Sequence, residues 1–239
     1  VGHRGSAALA PENTLSAFRI AIEQGVDFVE TDVQLTSDGV PVLMHDPKVD
    51  RTTSGGGPLS RHTFAHLRAL DAGSWFSPEF AGEQVPTLEE FTELLKPGTT
   101  KAFIELKGEW TAESVSDVIA LLRAQSLTMR VVLASFEPFA LEELRKQAPD
   151  FATILLTREL DQSVVDYAID LRVSAVCARD TLLEEHPEAL RRLQEMGVGL
   201  IAYTLNTPEQ WQQASELGID FFVTDDPIGL TEWRDAREP

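Results

Sequence analysis

The sequence predicts an α/β fold, a (β/α)₈ TIM barrel with a small insertion after the second strand. Three observations carry this. Apolar strand-like runs alternate with amphipathic helical runs, eight units in 239 residues, which is the rhythm of a closed parallel sheet wrapped in helices. Polar residues fit for chemistry (His3, Asp32, Glu105, Ser135 and Thr224) fall at or near the C-terminal ends of the strand runs, where such barrels build their sites. The rhythm breaks only once, after the second strand. A doubly wound open sheet is the alternative. No Gly-rich nucleotide fingerprint follows the first strand, which counts against it.

The elements follow in order. A short strand over 1–3 opens the chain and ends on His3. A helix over 14–24 follows, and Gly25 stands where a C-cap is wanted. In the second strand, 27–34, Glu30 and Asp32 alternate with Val29, Thr31 and Val33. Residues i and i+2 of a strand share a face. The valines therefore face the helices, and the two carboxylates face the barrel interior near its mouth. Thr36-Ser37-Asp38-Gly39 then leads into a further strand over 40–44, and Asp-Gly between two strand runs signals a hairpin. With Asp38 and Gly39 as the two loop residues, Ser37 opposes Val40, and His45 falls opposite Asp32. The stretch 46–86 is rich in Gly, Ser and Arg, includes Gly55-Gly56-Gly57, and carries a short helix near 61–70. It reads as an inserted segment capping the barrel mouth within one domain spanning 1–239.

Beyond the insertion, Thr87 with Glu90 forms a capping-box pattern that opens a helix over 87–95. Strands are predicted at 102–107, 131–135, 152–157, 174–178, 199–204 and 220–224. Helices lie between them at 112–125, 138–147, 163–169, 186–196 and 208–216, with a last one at 228–236. Gly197 and Gly218 suit helix C-caps, and Thr207 precedes Pro208 at a first helical position.

Composition narrows the function. Hydrophobic residues make up 43% of the chain, as in an ordinary globular protein. The formal charge is −19, from 20 basic and 39 acidic residues. That argues against nucleic acid and against an anionic membrane surface as partners. An anionic substrate then needs positive charge gathered locally. No apolar run is long enough for a transmembrane helix, so no stable membrane insertion is expected. Cys177 is the one cysteine; it rules out an intrachain disulfide and reads as an inert buried thiol. This fits a cytoplasmic setting. The chain starts on a strand-like residue rather than methionine, so upstream residues, with any export signal among them, are expected to be missing.

The chemical kit is compact. Glu30, Asp32 and Glu105 suit a hard divalent cation, Ca²⁺ or Mg²⁺, with positions left for substrate and water. The competing interpretation is a solvated strand face, with Glu105 paired to Lys107 two residues on. His3 and His45 suit proton transfer at the two ends of a bond being exchanged, against the ordinary structural use of a strand histidine. Asp46 is placed either to orient an imidazole or to serve the turn. Arg4 and Lys107 suit phosphate. Trp75, Phe76, Phe136 and Tyr203 are candidate apolar walls, with core packing the alternative. His62, His66 and His186 are assigned no chemistry. Together these residues read as machinery for metal-assisted cleavage of a phosphodiester.

The ordered set His3-Arg4-Gly5, Glu12-Asn13-Thr14, Glu30-Thr31-Asp32-Val33-Gln34-Leu35-Thr36, Asp38-Gly39, His45-Asp46, Arg51-Thr52-Thr53, Pro86-Thr87-Leu88, Glu105-Leu106-Lys107, Ser135-Phe136, Asn206 and Thr224-Asp225 resembles the glycerophosphodiester phosphodiesterases over essentially the whole chain. The resemblance implies a TIM barrel with an insertion after the second strand. It implies a Ca²⁺- or Mg²⁺-dependent enzyme that cleaves small-molecule glycerophosphodiesters to sn-glycerol 3-phosphate and an alcohol. His3 and His45 correspond to the family's catalytic histidines, Glu30, Asp32 and Glu105 to its metal carboxylates, and Arg4 and Lys107 to its phosphate contacts. The tryptophan common before the family's late Thr-x-Asn is Tyr203 here, ahead of Thr204-Leu205-Asn206. Three rival functions remain to be weighed. A phospholipase D-like or phosphoinositide-cleaving relative needs an exposed membrane-seeking surface. A catalytically dead glycerophosphate-binding module has no need of the complete kit. An interaction domain using the insertion would show no metal dependence.

Overall fold

A computed structural model describes residues 1–237. Its named strands are β1 (Phe28–Leu35), β2 (Pro41–Leu43), β3 (Lys101–Leu106), β4 (Val131–Ser135), β5 (Ala152–Leu156), β6 (Ala175–Arg179), β7 (Gly199–Tyr203) and β8 (Phe221–Phe222). From β1 through β3 to β8, each strand pairs in parallel with the next. The sheet closes through the first three residues. Gly2 forms parallel bridges to Val29 on one side and Thr224 on the other. The Glu30 amide donates to the Gly2 carbonyl at 2.8 Å, and the His3 amide donates to the Thr224 carbonyl at 2.8 Å. The opening segment is thus the eighth parallel strand of a (β/α)₈ barrel, and β2 lies outside the closed ring.

Local chemistry sets the helices as the sequence predicts. Thr14 caps α1 (Leu15–Glu23), and Gly25 follows it in the left-handed region at φ +74°. The Thr87–Glu90 capping box opens α3 (Leu88–Leu95), and Thr207 caps α9 (Pro208–Glu216) with Pro208 in its first turn. Val29, Val33, Ile104 and Leu106 point outward, fully buried against Phe18 of α1 and Phe91 of α3. Burying such a side chain contributes about 1.5–3 kcal/mol each. The inner face carries Phe103, Ala134, Ile154, Leu156, Cys177, Ile201 and Val223. Apolar side chains therefore plug the barrel, and the polar residues gather at its C-terminal mouth. The helix α7 (Asp180–Glu185), which follows β6 directly, escapes the sequence pattern because His186-Pro187 separates it from α8 (Pro187–Glu195).

The hairpin forms, in a register one residue from the one expected. Val33 faces Leu43, Gln34 faces Val42 and Leu35 faces Pro41. Met44, not His45, lies opposite Asp32, its amide donating to the Asp32 carbonyl at 2.9 Å. A two-residue type I′ loop needs positive φ at both central residues. Only Gly39 has it, at φ +80°. Asp38 instead accepts from the Thr36 hydroxyl and the Phe64 amide. The loop becomes three residues long with its glycine in the left-handed position, the next commonest hairpin connection.

The insertion has a small core of its own. Val49, Leu59, Leu67, Ala72 and Val85 pack with Val42 and Met44 of the hairpin. Its helix α2 (Phe64–Arg68) is joined to α3 by the Arg68–Glu90 ion pair. Asp71 accepts from the Gly73, Ser74 and Gly82 amides and pins the loop that follows.

Candidate active site

The site lies at the mouth of the barrel, around a cavity of about 470 Å³ lined by His3, Arg4, Glu30, Asp32, His45, Glu105 and Lys107 on one wall. Every site residue read from the sequence is brought there. Of the four aromatic candidates, Phe136 and Tyr203 line the cavity. Trp75 and Phe76 do not. They pack edge to face with one another in the insertion, Phe76 also against Phe80, and the Trp75 indole donates to the Ala72 carbonyl. Ser135 is buried and bonds the Leu106 carbonyl, a structural contact. A larger cavity of about 670 Å³ at the opposite end of the strands includes Val1, Phe28, Ile154 and Phe221 in its lining. Its acidic residue, Asp220, is taken up by the Leu200 amide.

The three carboxylates are buried, and each offers an oxygen within 4.8 Å of the other two. Burial, together with the charge of Asp32, pushes Glu30 well above the usual carboxyl range and Glu105 up to about 7. Burial acts on Asp32 in the same direction, but Lys107 and Arg4 outweigh it and hold Asp32 below its ordinary value. The Lys107 ammonium lies 3.3 Å from Asp32 and 3.4 Å from Glu105, and Arg4 Nε lies 3.4 Å from Asp32. Three hard oxygen donors that resist common ionisation fit a divalent cation. Arg4 Nε is buried without a hydrogen-bond partner, which leaves an N–H donor beside the trio for an anionic oxygen.

Two histidines complete the wall. His3 Nδ1 lies 2.6 Å from Asp225 Oδ1, and His45 Nδ1 lies 2.8 Å from Asp46 Oδ1. An ionised carboxylate only accepts, so each Nδ1 carries the proton and each Nε2 is left free for chemistry. Burial moves His45 below the ordinary histidine value, which favours a neutral, proton-accepting ring. Asp225 is itself lowered. Burial would raise it, and the hydrogen bond from His3 prevails.

The sequence reading passed over the residues that set these groups in place. Gln34 Nε2 donates to the carbonyls of Met44, His45 and Asp46 at 2.6, 3.1 and 2.9 Å. One amide thus fixes the turn that carries His45. Asn13 adopts φ +56°, donates to Asp32 at 2.9 Å and accepts from the Thr31 hydroxyl. Arg51 in the insertion spans Asp46 and Glu12, and Glu12 accepts in turn from Arg4. Arg4 is held at φ +53°, a conformation that costs about 1–3 kcal/mol in a non-glycine residue. Its amide donates to Glu30 at 2.8 Å. Glu12, Asn13, Arg51 and Asp225 all stand inside the motifs that carry the family resemblance, but only the fold gives their partners.

A barrel with a carboxylate trio, two carboxylate-backed histidines and two cations on one wall defines the class of phosphoric diester hydrolases. The profile of the glycerophosphoryl diester phosphodiesterase family matches residues 3–228, and the chain belongs to that family. A glycerophosphodiester phosphodiesterase of Caldanaerobacter subterraneus subsp. tengcongensis is 34% identical over 232 residues, which is 96% of this chain and 95% of that protein. Glycerophosphodiester phosphodiesterase 1 of Mus musculus is 32% identical over 256 residues, 94% of this chain and 77% of that protein. Among solved structures, an Oleispira antarctica phosphodiesterase in complex with the product sn-glycerol-3-phosphate superposes with a TM-score of 0.92 at 28% identity, covering 98% of this chain and 95% of that one.

Proposed function

We propose that this protein hydrolyses small glycerophosphodiesters to sn-glycerol 3-phosphate and an alcohol, with a divalent cation at the carboxylate trio. The observation that carries the reading is the pair of carboxylate-backed imidazoles, His3–Asp225 and His45–Asp46, on the same cavity wall as the carboxylate trio, Arg4 and Lys107. The product complex of the Oleispira antarctica relative supports the choice of substrate.

Glu30, Asp32 and Glu105 would hold the ion. Bound there, Ca²⁺ or Mg²⁺ supplies Lewis-acid stabilisation of charge on the phosphoryl oxygens. Arg4 and Lys107, now turned toward Asp32 and Glu105, bind the phosphate oxygens. One imidazole takes at its free Nε2 the proton of the attacking oxygen, either water directly or the substrate's own glycerol 2-hydroxyl, in which case water then opens the cyclic phosphate; the bond from phosphorus to the alcohol oxygen breaks. The other, protonated at Nε2, gives its proton to the departing alcohol oxygen. Asp225 and Asp46 hold the Nδ1 proton of each ring, so that proton exchange is left to Nε2. Such help is worth about 10²–10⁴-fold per group. Among the described residues no helix is long and apolar enough to cross a membrane.

The test is release of glycerol 3-phosphate from a panel of glycerophosphodiesters with Ca²⁺, Mg²⁺ or EDTA, for wild type and His45→Ala. Metal-dependent release lost in the variant supports the reading. Release that EDTA and the substitution both leave intact overturns it.

A further inference from the structure

The wall of the cavity opposite the carboxylates has a different character. It is built from the ends of β4 to β7 and presents Phe136, Leu156, Arg158, Arg179 and Tyr203. Arg158 stands two residues beyond β5, and Arg179 is the last residue of β6. Both are exposed. Arg4 and Lys107 across the cavity are committed to carboxylates. Among the described residues no carboxylate pairs with Arg158 or Arg179, although acidic side chains outnumber basic ones by 39 to 20. The one carboxylate on that wall, Asp180, is turned to other partners. It accepts from the Gln210 amide group at 2.9 Å and from the Thr181 amide at 2.9 Å.

The arginines are also set in place. The Arg158 guanidinium sits 4.0 Å from the centre of the Phe136 ring, and that ring meets Tyr203 edge to face at 6.5 Å. Both arginines lie close enough to the Tyr203 phenol to offset part of the pKa rise that its burial causes. An aromatic face is what a quaternary ammonium group would seek. Here the Phe136 face is already covered by a cation.

We infer that this wall receives the leaving alcohol and selects one that carries a second phosphate. The inference rests on the phosphodiesterase reading. The phosphate under attack belongs beside the histidines, Arg4 and Lys107, so the half of the substrate that extends across the cavity meets the two unpaired guanidiniums. A second phosphate, terminal or within a further diester, gives each of them an acceptor. A choline or ethanolamine alcohol meets two like charges.

The test compares kcat/KM for four substrates: glycerophosphocholine, glycerophosphoglycerol, glycerophosphoglycerol phosphate with its terminal phosphate, and bis(glycerophospho)glycerol with its further diester. Wild type and the Arg158→Ala/Arg179→Ala double variant are assayed with metal supplied. Wild type is expected to favour at least one of the two substrates with a second phosphate over glycerophosphocholine by at least about tenfold, and to lose the preference as salt is raised. Which of the two is favoured tells a terminal phosphate from an internal one. The double variant is expected to lose the preference, with a smaller loss of kcat/KM on glycerophosphoglycerol, whose leaving alcohol carries no charge; an unchanged thermal midpoint is the control for folding. Equal use of all four substrates by wild type, or an equal loss on all four in the variant, overturns the inference. Release of glycerol 3-phosphate from none of them by wild type brings down the phosphodiesterase reading, and the inference with it.

Discussion

Lowering the pH from 8 to 6 is expected to weaken metal binding at the carboxylate trio, by an amount the structure sets. Without metal, Glu105 releases its proton at about 7 rather than at 4.5. At pH 8 it is already ionised when a cation arrives. At pH 6, about one pH unit below its titration point, the cation must displace a proton, which costs about tenfold in affinity. Glu30 is raised by the same burial and by Asp32, so it adds to the loss. Asp32 is held below 3.8 and adds nothing in this range. Stability follows with a definite sign. A carboxyl raised in the folded state stabilises fully below 4.5, and that contribution is lost as pH rises through about 7. For Glu105 the loss by pH 8 is about 3 kcal/mol. A bound cation offsets it, so the melting temperature should rise with metal concentration, more at pH 8 than at pH 6. Isothermal titration calorimetry in two buffers of different ionisation enthalpy gives both the affinity and the protons released. A dissociation constant that is the same at pH 6 and pH 8, with no proton release at pH 6, would refute the reasoning. Glu105→Gln should bind more weakly and with a flatter pH dependence.

Four substitutions probe the rest. His45→Ala should lower kcat by about 10²–10⁴-fold and leave the thermal midpoint nearly unchanged; normal turnover would remove His45 from the mechanism. Gln34→Leu leaves the Met44, His45 and Asp46 carbonyls without their shared donor, so denaturant titration should show a loss of roughly 1–3 kcal/mol, accompanied by a fall in kcat. Gly5→Ala forces a Cβ to within 2.6 Å of the Ala17 carbonyl carbon at φ +90°. A cost of at least about 2 kcal/mol is expected from strain and overpacking, read in the same titration. Arg51→Met removes a side chain that is 44% exposed, so stability should change by no more than about 1 kcal/mol. Asp46 loses its anchor, however, and kcat should fall by roughly 10–100-fold, as for other partners that orient a functional ligand.

The contrast between Arg51 and Glu30 shows which parts of the site were legible in the sequence. Glu30 and Asp32 could be placed because strand periodicity is local. Two residues apart means one face, and the flanking valines say which face is buried. Eight such strands with capped helices between them are enough to give the barrel, including its closure through Gly2. Arg51 has no periodicity to obey. Its partners are 39 and 5 residues away, and its role exists only because the insertion folds onto the loop after the first strand. Gln34 is similar. It looks like one more residue of an alternating strand, yet its amide reaches across to three carbonyls of the neighbouring turn. The same limit explains the hairpin. Asp38-Gly39 signals a turn, but the loop length depends on whether Asp38 accepts positive φ or bonds the Phe64 amide, and Phe64 belongs to the insertion.

His45 reaches the site in spite of that register difference, and the reason lies in which interactions place it. In the expected register, strand pairing would have set it opposite Asp32. In the structure β2 ends at Leu43, and the Gln34 amide together with the Asp46–Arg51 contact fixes the turn. The site therefore depends less on the sheet than on a set of side-chain bonds that bind the insertion to the mouth of the barrel. Charge is arranged on the same principle. A net charge of −19 counts against anionic partners when summed over the chain, yet Arg4, Lys107, Arg158 and Arg179 all line one cavity. Each stands at or just beyond the end of a different parallel strand. The four are far apart in sequence, at 4, 107, 158 and 179; motifs mark Arg4 and Lys107, and nothing in the sequence marks Arg158 and Arg179. Because the C-terminal ends of all the strands in such a barrel share one face, the fold converts that spacing into a local positive field inside an acidic protein.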